Sequence, residues 1–213
     1  MSQTVPPAPR FTAKGMATRS RIVESAAALM FENGVAGTSI EDVQKKASVS
    51  ASQLYHYFGD KSSLVRSVIA FQTEAVLERQ GPFLNSLDSI EAFEAWRDYQ
   101  VERQVAKRSH NGCAIGSLAN ELADQSADAR ADLTESFSRW EQPIQAGLAG
   151  MKERGELRDD ADPAQLAIAV MAAVQGGLLL SKTQRDAAPL RVALTVIIDH
   201  IRSLTTDHAP AAG

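Results

Sequence analysis

Apolar residues recur at steps of three and four along most of the chain, and no stretch alternates with the period of two that a half-buried strand shows. The pattern predicts an all-α protein. Ile22, Ala26, Leu29 and Met30 share one face of a first helix over 18–33, which stops at Asn33-Gly34, a left-handed cap. Ile40, Val43 and Ala47 define a second helix of about two turns, opened by Ser39 with Asp42 three residues on and Glu41 adding negative charge to the first turn. Ser48-Val49-Ser50 interrupts it. Ser50 then caps a third short helix in which Leu54 and Phe58 point inward one turn apart.

The later pattern continues in the same way. Asp60 caps a helix over 61–79, with Leu64, Val68, Phe71, Ala75 and Val76 on one side, and Gly81-Pro82 is expected to end it. A helix over 89–109 carries Phe93, Trp96, Tyr99, Val101 and Val105, followed by a loop from His110 to Cys113 and a short helix from Gly116 to Ala123. Leu133, Phe137, Trp140, Ile144, Leu148 and Met151 form a continuous stripe over 127–154, where Pro143 predicts a kink. Behind an Asp162 cap and Pro163, the segment Leu166–Leu180 is apolar almost all round. Its Gln165 and Gln175 argue against a membrane span, and burial on two sides is expected: one face within the subunit, the other against a second copy. Gly176-Gly177 would let another backbone come close. The last helix, 188–204, repeats Leu190, Leu194, Ile197, Ile201 and Leu204, with Val192 and Val196 widening the face.

Charge sharpens this picture. The 213 residues have a net charge of -4, but residues 1–62 hold seven Lys/Arg against five Asp/Glu, leaving 15 against 21 for the rest. No acidic residue precedes Glu24, so Arg10, Lys14, Arg19 and Arg21 form an uninterrupted basic run. One end suits a polyanion. The single Cys excludes a disulfide framework and fits a reducing cytoplasm, and the opening MSQTVPPAPR has no apolar run of the signal-peptide kind.

On the third helix the outward residues are Ala51, Ser52, Gln53, Tyr55, His56 and Tyr57: small, hydrogen-bonding or aromatic, with no carboxylate. A two-helix hairpin with such a second helix suits insertion into the major groove of DNA. Gln53 is the candidate for reading a base edge, since its amide both donates and accepts. Ser50, Thr38, Ser39, Tyr57 and Lys61, with Arg19 and Arg21, complete the predicted DNA contacts.

The ordered set Arg21-Ile22, Ala26-Ala27, Leu29, Phe31, Asn33-Gly34, Thr38-Ser39, Val49-Ser50, Leu54-Tyr55-His56-Tyr57-Phe58, Lys61 and Leu64 resembles the DNA-binding domain of the tetracycline-repressor (TetR) family of bacterial regulators. The resemblance covers residues 18–66. Gln44 and Ser48 depart from it, standing where the family tends to have Ala and Gly. GCAIGSLANELAD, GELRDDADP and QGGLLL are similar to the effector domains of an LmrA/YxaF-like subgroup. The resemblance implies a flexible basic arm over 1–17, a DNA-binding domain over 18–66, an effector and dimerisation domain over 67–206, and a tail over 207–213.

The implied function is a cytoplasmic, homodimeric regulator, a repressor released from double-stranded operator DNA by a small hydrophobic effector, with no cofactor and no membrane. Phe93, Trp96, Phe137, Trp140, Met171 and Gln175 are the candidate effector contacts. Leu166, Val170, Ala173, Gly177, Leu190, Leu194, Ile197 and Ile201 are the candidate dimer contacts. His110 and Cys113 stand three apart without a second ligand pair, so no metal is expected. Phosphate-loop, dinucleotide, nucleophile-elbow and zinc-hydrolase motifs do not occur in the sequence, and an enzyme is not expected. Two other readings stay open: a ligand-independent dimeric DNA-binding protein, and a small helical enzyme or carrier with an incidental hairpin.

Overall fold

Side-chain caps set most of the helix starts. In the structure, a computed structural model that describes residues 12–110 and 112–208, Thr12 accepts from the Gly15 amide and opens α1 (Ala13–Asn33). The helix therefore begins well inside the stretch predicted to be a flexible arm. Residues 1–11, with Arg10, lie outside the described residues, as do 209–213 of the tail. Gly34 closes α1 at φ 77° and ψ 165°, an extended form of positive φ rather than the left-handed helical cap expected.

Ser39 and Asp42 form a complete capping box for α2 (Ile40–Ala47), and Ser50 with Gln53 does the same for α3 (Ala51–Phe58). Asp60 accepts from the Ser63 amide at 2.7 Å at the start of α4 (Lys61–Leu84). Pro82 does not stop α4 but sits in its last turn, where only one intrahelical hydrogen bond is forfeited. The chain divides between Phe71 and Gln72 into two compact units, so the division falls inside α4.

The first unit is a three-helix head together with the first part of α4. Ile22, Val23, Ala26 and Met30 of α1 are buried with Val43 and Ala47 of α2, Leu54 and Phe58 of α3, and Leu64, Val65 and Val68 of α4. The α2–α3 turn places Ser48 at φ 51°, ψ 53°, in the left-handed region where a Cβ is strained. Replacing Ser48 by Gly is expected to stabilise the head by about 0.5–1 kcal/mol, strain relief outweighing the added chain entropy, and urea unfolding would show it.

The second unit contains the rest of α4, then α5 (Ile90–Ala106), α6 (Ala114–Leu122), α7 (Ala127–Glu153), α8 (Pro163–Gln184) and α9 (Ala188–Ser203). Its centre is aromatic and aliphatic: Phe93, Trp96, Trp140, Ile144, Leu148, Leu190 and Leu194 are essentially inaccessible. Gln80 Oε1 accepts from Trp96 Nε1 at 3.0 Å and from Gln100 Nε2 at 2.9 Å, so the buried indole is satisfied within the core. α8 packs on α7 and α9, and α9 also on α5, where Arg202 pairs with Glu94 at 2.6 Å. Helix α7 runs through Pro143 as one element. The described residues contain no strand; a single antiparallel bridge joins Leu157 to Thr205.

Gly177 shows how α8 and α9 meet. A Cβ there would lie 2.8 Å from Leu190 Cα and 2.9 Å from its Cδ1, so the glycine admits α9 of the same chain. The backbone expected to come close here is that of α9, and Gly177, also expected at a dimer contact, is buried in this internal seam. Gly176 next to it is open. Helix α8 is long and apolar enough to cross a membrane by composition, with a mean hydropathy of 1.7, and its buried side is taken up by α7 and α9.

Candidate functional site

The capping boxes that fix α2 and α3 also decide which polar atoms remain outward. Gln53 Oε1 accepts from the Ser50 amide at 2.9 Å, while Ser50 Oγ accepts from the Gln53 amide at 3.2 Å. The Gln53 carbonyl is thus spent inside the hairpin, and its Nε2 donor is the atom left to present. Ser50, Ala51, Ser52, Gln53, Tyr55 and His56 are all exposed, Tyr55 to 50 %. Tyr57 is half-buried, its ring edge-on to His56 at 5.3 Å between centroids. Leu54 and Phe58 fill the opposite side of the helix. The outward side of α3 is a carboxylate-free surface of donors, aromatics and small groups.

Several residues expected to contact DNA are bonded within the head. Thr38 is 1 % exposed and donates its hydroxyl to the Gly34 carbonyl at 2.7 Å. Ser39 Oγ donates to Asp42 Oδ2 at 2.6 Å, which holds the Asp42 carboxyl below its usual range. Arg19 Nη2 donates to Ser67 Oγ at 2.9 Å, with its guanidinium 5.1 Å over the Phe58 ring. Arg21 Nε donates to the Ala47 carbonyl at 2.9 Å, satisfying the end of α2, and Lys61 Nζ donates to the Val35 carbonyl at 2.8 Å. Two cations the sequence reading passed over, Lys45 and Lys46, stand exposed in the last turn of α2.

The second unit has a cleft of about 860 Å³ between α6, α7 and α8. Gly112, Cys113, Gly116, Ser117, Ala119 and Asn120 supply one wall, Phe137 another, and Gln175, Gly176, Leu179 and Lys182 the third. Of the predicted effector contacts, Phe137 and Gln175 are on it. Phe93, Trp96, Trp140 and Met171 are not: all four are core residues no more than 6 % exposed. Small residues at the start of α6 leave the space, and the largest rings fill the interior elsewhere. The lining is mixed rather than apolar. Cys113 Sγ caps α6 by accepting from the Gly116 amide at 3.3 Å, and burial pushes the thiol up, so it stays protonated.

An apolar outer face lies on α8 and α9. Ile168 (56 %), Leu179 (63 %), Val192 (60 %) and Val196 (63 %) are exposed, with Ala172 and Gly176 along the same stripe of α8. The residues predicted for a dimer contact divide differently. Leu166, Val170, Gly177, Leu190, Leu194 and Ile201 are internal to the subunit, while Ala173 and Ile197 are half-buried. Ile198, not Ile197, continues the buried seam of α9. Both faces of these helices are apolar, and the inner one takes all of the predicted set but Ala173 and Ile197.

Comparison with known proteins agrees with this arrangement. Residues 22–68 match the family model of bacterial regulatory proteins of the tetR family, and residues 89–195 match the C-terminal domain of LmrA/YxaF-like transcriptional regulators. The chain is 27% identical over 183 residues to the HTH-type transcriptional repressor DhaR of a Mycobacterium strain, covering 85% of this chain and 90% of that one. It is 26% identical over 176 residues to the uncharacterised HTH-type regulator YxaF of Bacillus subtilis, with 81% and 89% covered. Among solved structures it is similar to a TetR transcriptional regulator from Chloroflexus aurantiacus, with a TM-score of 0.75, 26% identity, and 91% and 98% of the two chains covered. Escherichia coli NemR in its reduced form shares the fold, with a TM-score of 0.75 at 22% identity over 92% of this chain and 100% of that one. With a helix-turn-helix head at one end and the LmrA/YxaF-like model spanning half its length, the chain belongs to the TetR family of bacterial transcriptional regulators and is not an enzyme.

Proposed function

We propose that the protein is a cytoplasmic repressor that binds double-stranded operator DNA as a homodimer and leaves it when a small effector occupies the cleft of the second unit. The observation that carries this reading is the outward side of α3, exposed and free of carboxylates, on a head whose Thr38, Arg19, Arg21 and Lys61 are bonded within the fold. Gln53 Nε2 suits an acceptor on a base edge, such as a purine N7, rather than the paired donor and acceptor of adenine. Lys45 and Lys46 join Tyr57 as phosphate contacts. The outer face of α8 and α9 around Ile168, Ala172, Val192 and Val196 is the dimer contact, pairing two helices from each copy about a two-fold axis and leaving Leu179 to the cleft. A two-fold dimer reads half-sites about one helical turn apart, roughly 34 Å.

The cleft supports an effector-dependent regulator over one whose second unit only dimerises. Its route to the head is short in chain terms. Phe137 borders the cleft, and its neighbours on α7 grip α4: Ser136 accepts from Thr73 at 2.8 Å and Arg139 pairs with Glu74 at 2.6 Å. Helix α4 is continuous back to Lys61. An effector acts only by its different affinity for the DNA-competent and DNA-incompetent states.

Footprinting on the DNA flanking the coding region, followed by effector titration with and without that operator, tests the proposal. A coupling of ~1–3 kcal/mol is expected, so operator should weaken effector binding about 5- to 150-fold and the effector should weaken operator binding by the same factor. Equal effector affinity in both states would leave a pocket without a switch. Footprints without sequence preference would remove the operator reading itself.

A further inference from the structure

Charge around the cleft is unevenly compensated. Lys182 lines it, its stem lying over Gly112 (Cδ 3.3 Å from where a Gly112 Cβ would stand), and has no carboxylate within salt-bridge distance among the described residues. Glu121, the carboxylate in the lining, is already engaged in an interaction of its own. Three more cations lie close enough to act on one another, and one of them, Arg79, acts on the Cys113 sulfur of the wall. Arg103 lies 5.6 Å from the Tyr99 ring centre, the Tyr99 hydroxyl donates to the Arg79 carbonyl at 3.1 Å, and Lys107 follows Arg103 by one turn of α5. Burial and mutual repulsion lower Arg79 and Lys107: Arg103 acts on both, and Arg79 acts also on Lys107 and on the Cys113 sulfur. No Asp or Glu helps to hold either of them charged; on Arg79 only Tyr99 and Cys113 act in that direction, and neither outweighs its burial.

A group of like charges kept together at such a cost is relieved by an anion. The opposite part of the lining, Phe137, Ala119 and Leu179, offers apolar surface for a ring or short chain. We propose that the effector is an amphiphilic organic anion, its carboxylate or comparable acid group held at the Lys182 side of the cleft and its apolar body against Phe137 and Leu179. This rests on the cleft being the effector site, and it adds an acid group to the small hydrophobic effector expected from the sequence. Lys182 then acts as a charge-assisted hydrogen-bond donor, with Arg79, Arg103 and Lys107 supplying a longer-range attractive potential. Selectivity against neutral molecules of the same shape follows, because a neutral ligand would leave the cation cluster unrelieved.

Two fluorescent probes that share an aromatic body and differ in charge separate the possibilities: 1-anilinonaphthalene-8-sulfonate, an anion, and N-phenyl-1-naphthylamine, which is neutral. The full-length protein should bind the sulfonate more tightly than the amine. Lys182→Met, which keeps the apolar stem, should weaken the sulfonate roughly 3- to 10-fold and leave the amine unchanged. Arg103→Met should weaken the sulfonate less, in line with a contribution through space. Asn120→Trp, at an exposed position on the cleft wall, should exclude both probes. Equal binding of the two probes with no effect of Lys182→Met would overturn the anion assignment while leaving the cleft as an effector site. Sulfonate binding that survives Asn120→Trp would place the anion elsewhere and overturn it as well. Failure of both probes to bind the unaltered protein would count against the cleft itself, and with it the effector reading.

Discussion

Replacing Val196 by Arg is expected to convert the protein to a monomer and to cut operator affinity at least about 100-fold in the same step. Val196 is 63 % exposed in the single subunit, and Val192 one turn earlier is 60 % exposed, so the substitution costs the isolated subunit almost nothing. In a two-fold contact the same change enters twice. Each guanidinium would be desolvated against an apolar partner surface, a penalty of several kcal/mol per ion when no counter-charge is present. Loss of the dimer then separates two heads that would otherwise engage two half-sites together. Linked binding of that kind exceeds single-site binding by about 10²–10⁴-fold. Sedimentation at micromolar concentration and operator titration should change together, with the circular dichroism spectrum unaltered. A Val196→Arg protein that remains dimeric would take the α8–α9 outer face out of the interface.

The choice of Val196 over Ile197 shows where the sequence stops being informative. Leu190, Leu194, Ile197 and Ile201 fit a helical stripe by spacing alone, and so do Leu190, Leu194, Ile198 and Ile201. Only the packing of α9 against α8 and α5 selects the second set for the core and leaves Val192 and Val196 outside. Two apolar faces on one helix give a period but not an address. Gly177 has the same origin: its role is fixed by Leu190, a residue on the next helix. By contrast, the hairpin was readable because its determinants are local. Ser39 with Asp42 and Ser50 with Gln53 each complete a box within four residues, and the inward pair Leu54 and Phe58 follows from one helical turn.

The cleft of the second unit was half legible for a different reason. Large aromatics suggest pocket walls in the sequence, yet a large ring gains most from complete burial, and Trp96 finds its hydrogen-bond partner at Gln80, sixteen residues earlier. Cavities form where volume is missing, and the missing volume is written in the small residues Gly112, Cys113, Gly116, Ser117 and Ala119. The same run carries the family likeness, and its small side chains leave a space beside the helix only when a neighbouring helix frames it. The roles of Thr38, Arg19, Arg21 and Lys61 within the head were hidden in the same way, because each is bonded to a carbonyl or side chain of another segment of the chain.

Gly147→Ala is expected to destabilise the second unit by about 3 kcal/mol, near the upper end of the range for adding a methyl group to a closed core. In sequence the position reads as harmless. It lies between Ile144 and Leu148 of the buried α7 stripe, where Ala should improve helix propensity by about 1 kcal/mol. In the structure a Cβ on Gly147 would fall inside the van der Waals envelope of the Leu87 carbonyl oxygen, and 3.4 Å from Leu87 Cβ. Leu87 is 1 % exposed, and the obstacle is backbone, so no rotamer change can clear it. Either the 85–89 connection lifts away from α7 or α7 itself shifts; both disturb the seating of α5 and the Phe93–Trp96 core. For a chain of this size about 2–4 °C in Tm accompanies each kcal/mol, which gives a fall of roughly 6–12 °C measured by calorimetry. Gly150, one turn on, is the internal control: the nearest atom to a Cβ there is Arg154 Nη1 at 3.3 Å, the mobile end of a half-exposed side chain. Gly150→Ala should therefore leave Tm unchanged or raise it. If Gly147→Ala behaves like Gly150→Ala, the 85–89 connection does not rest on α7.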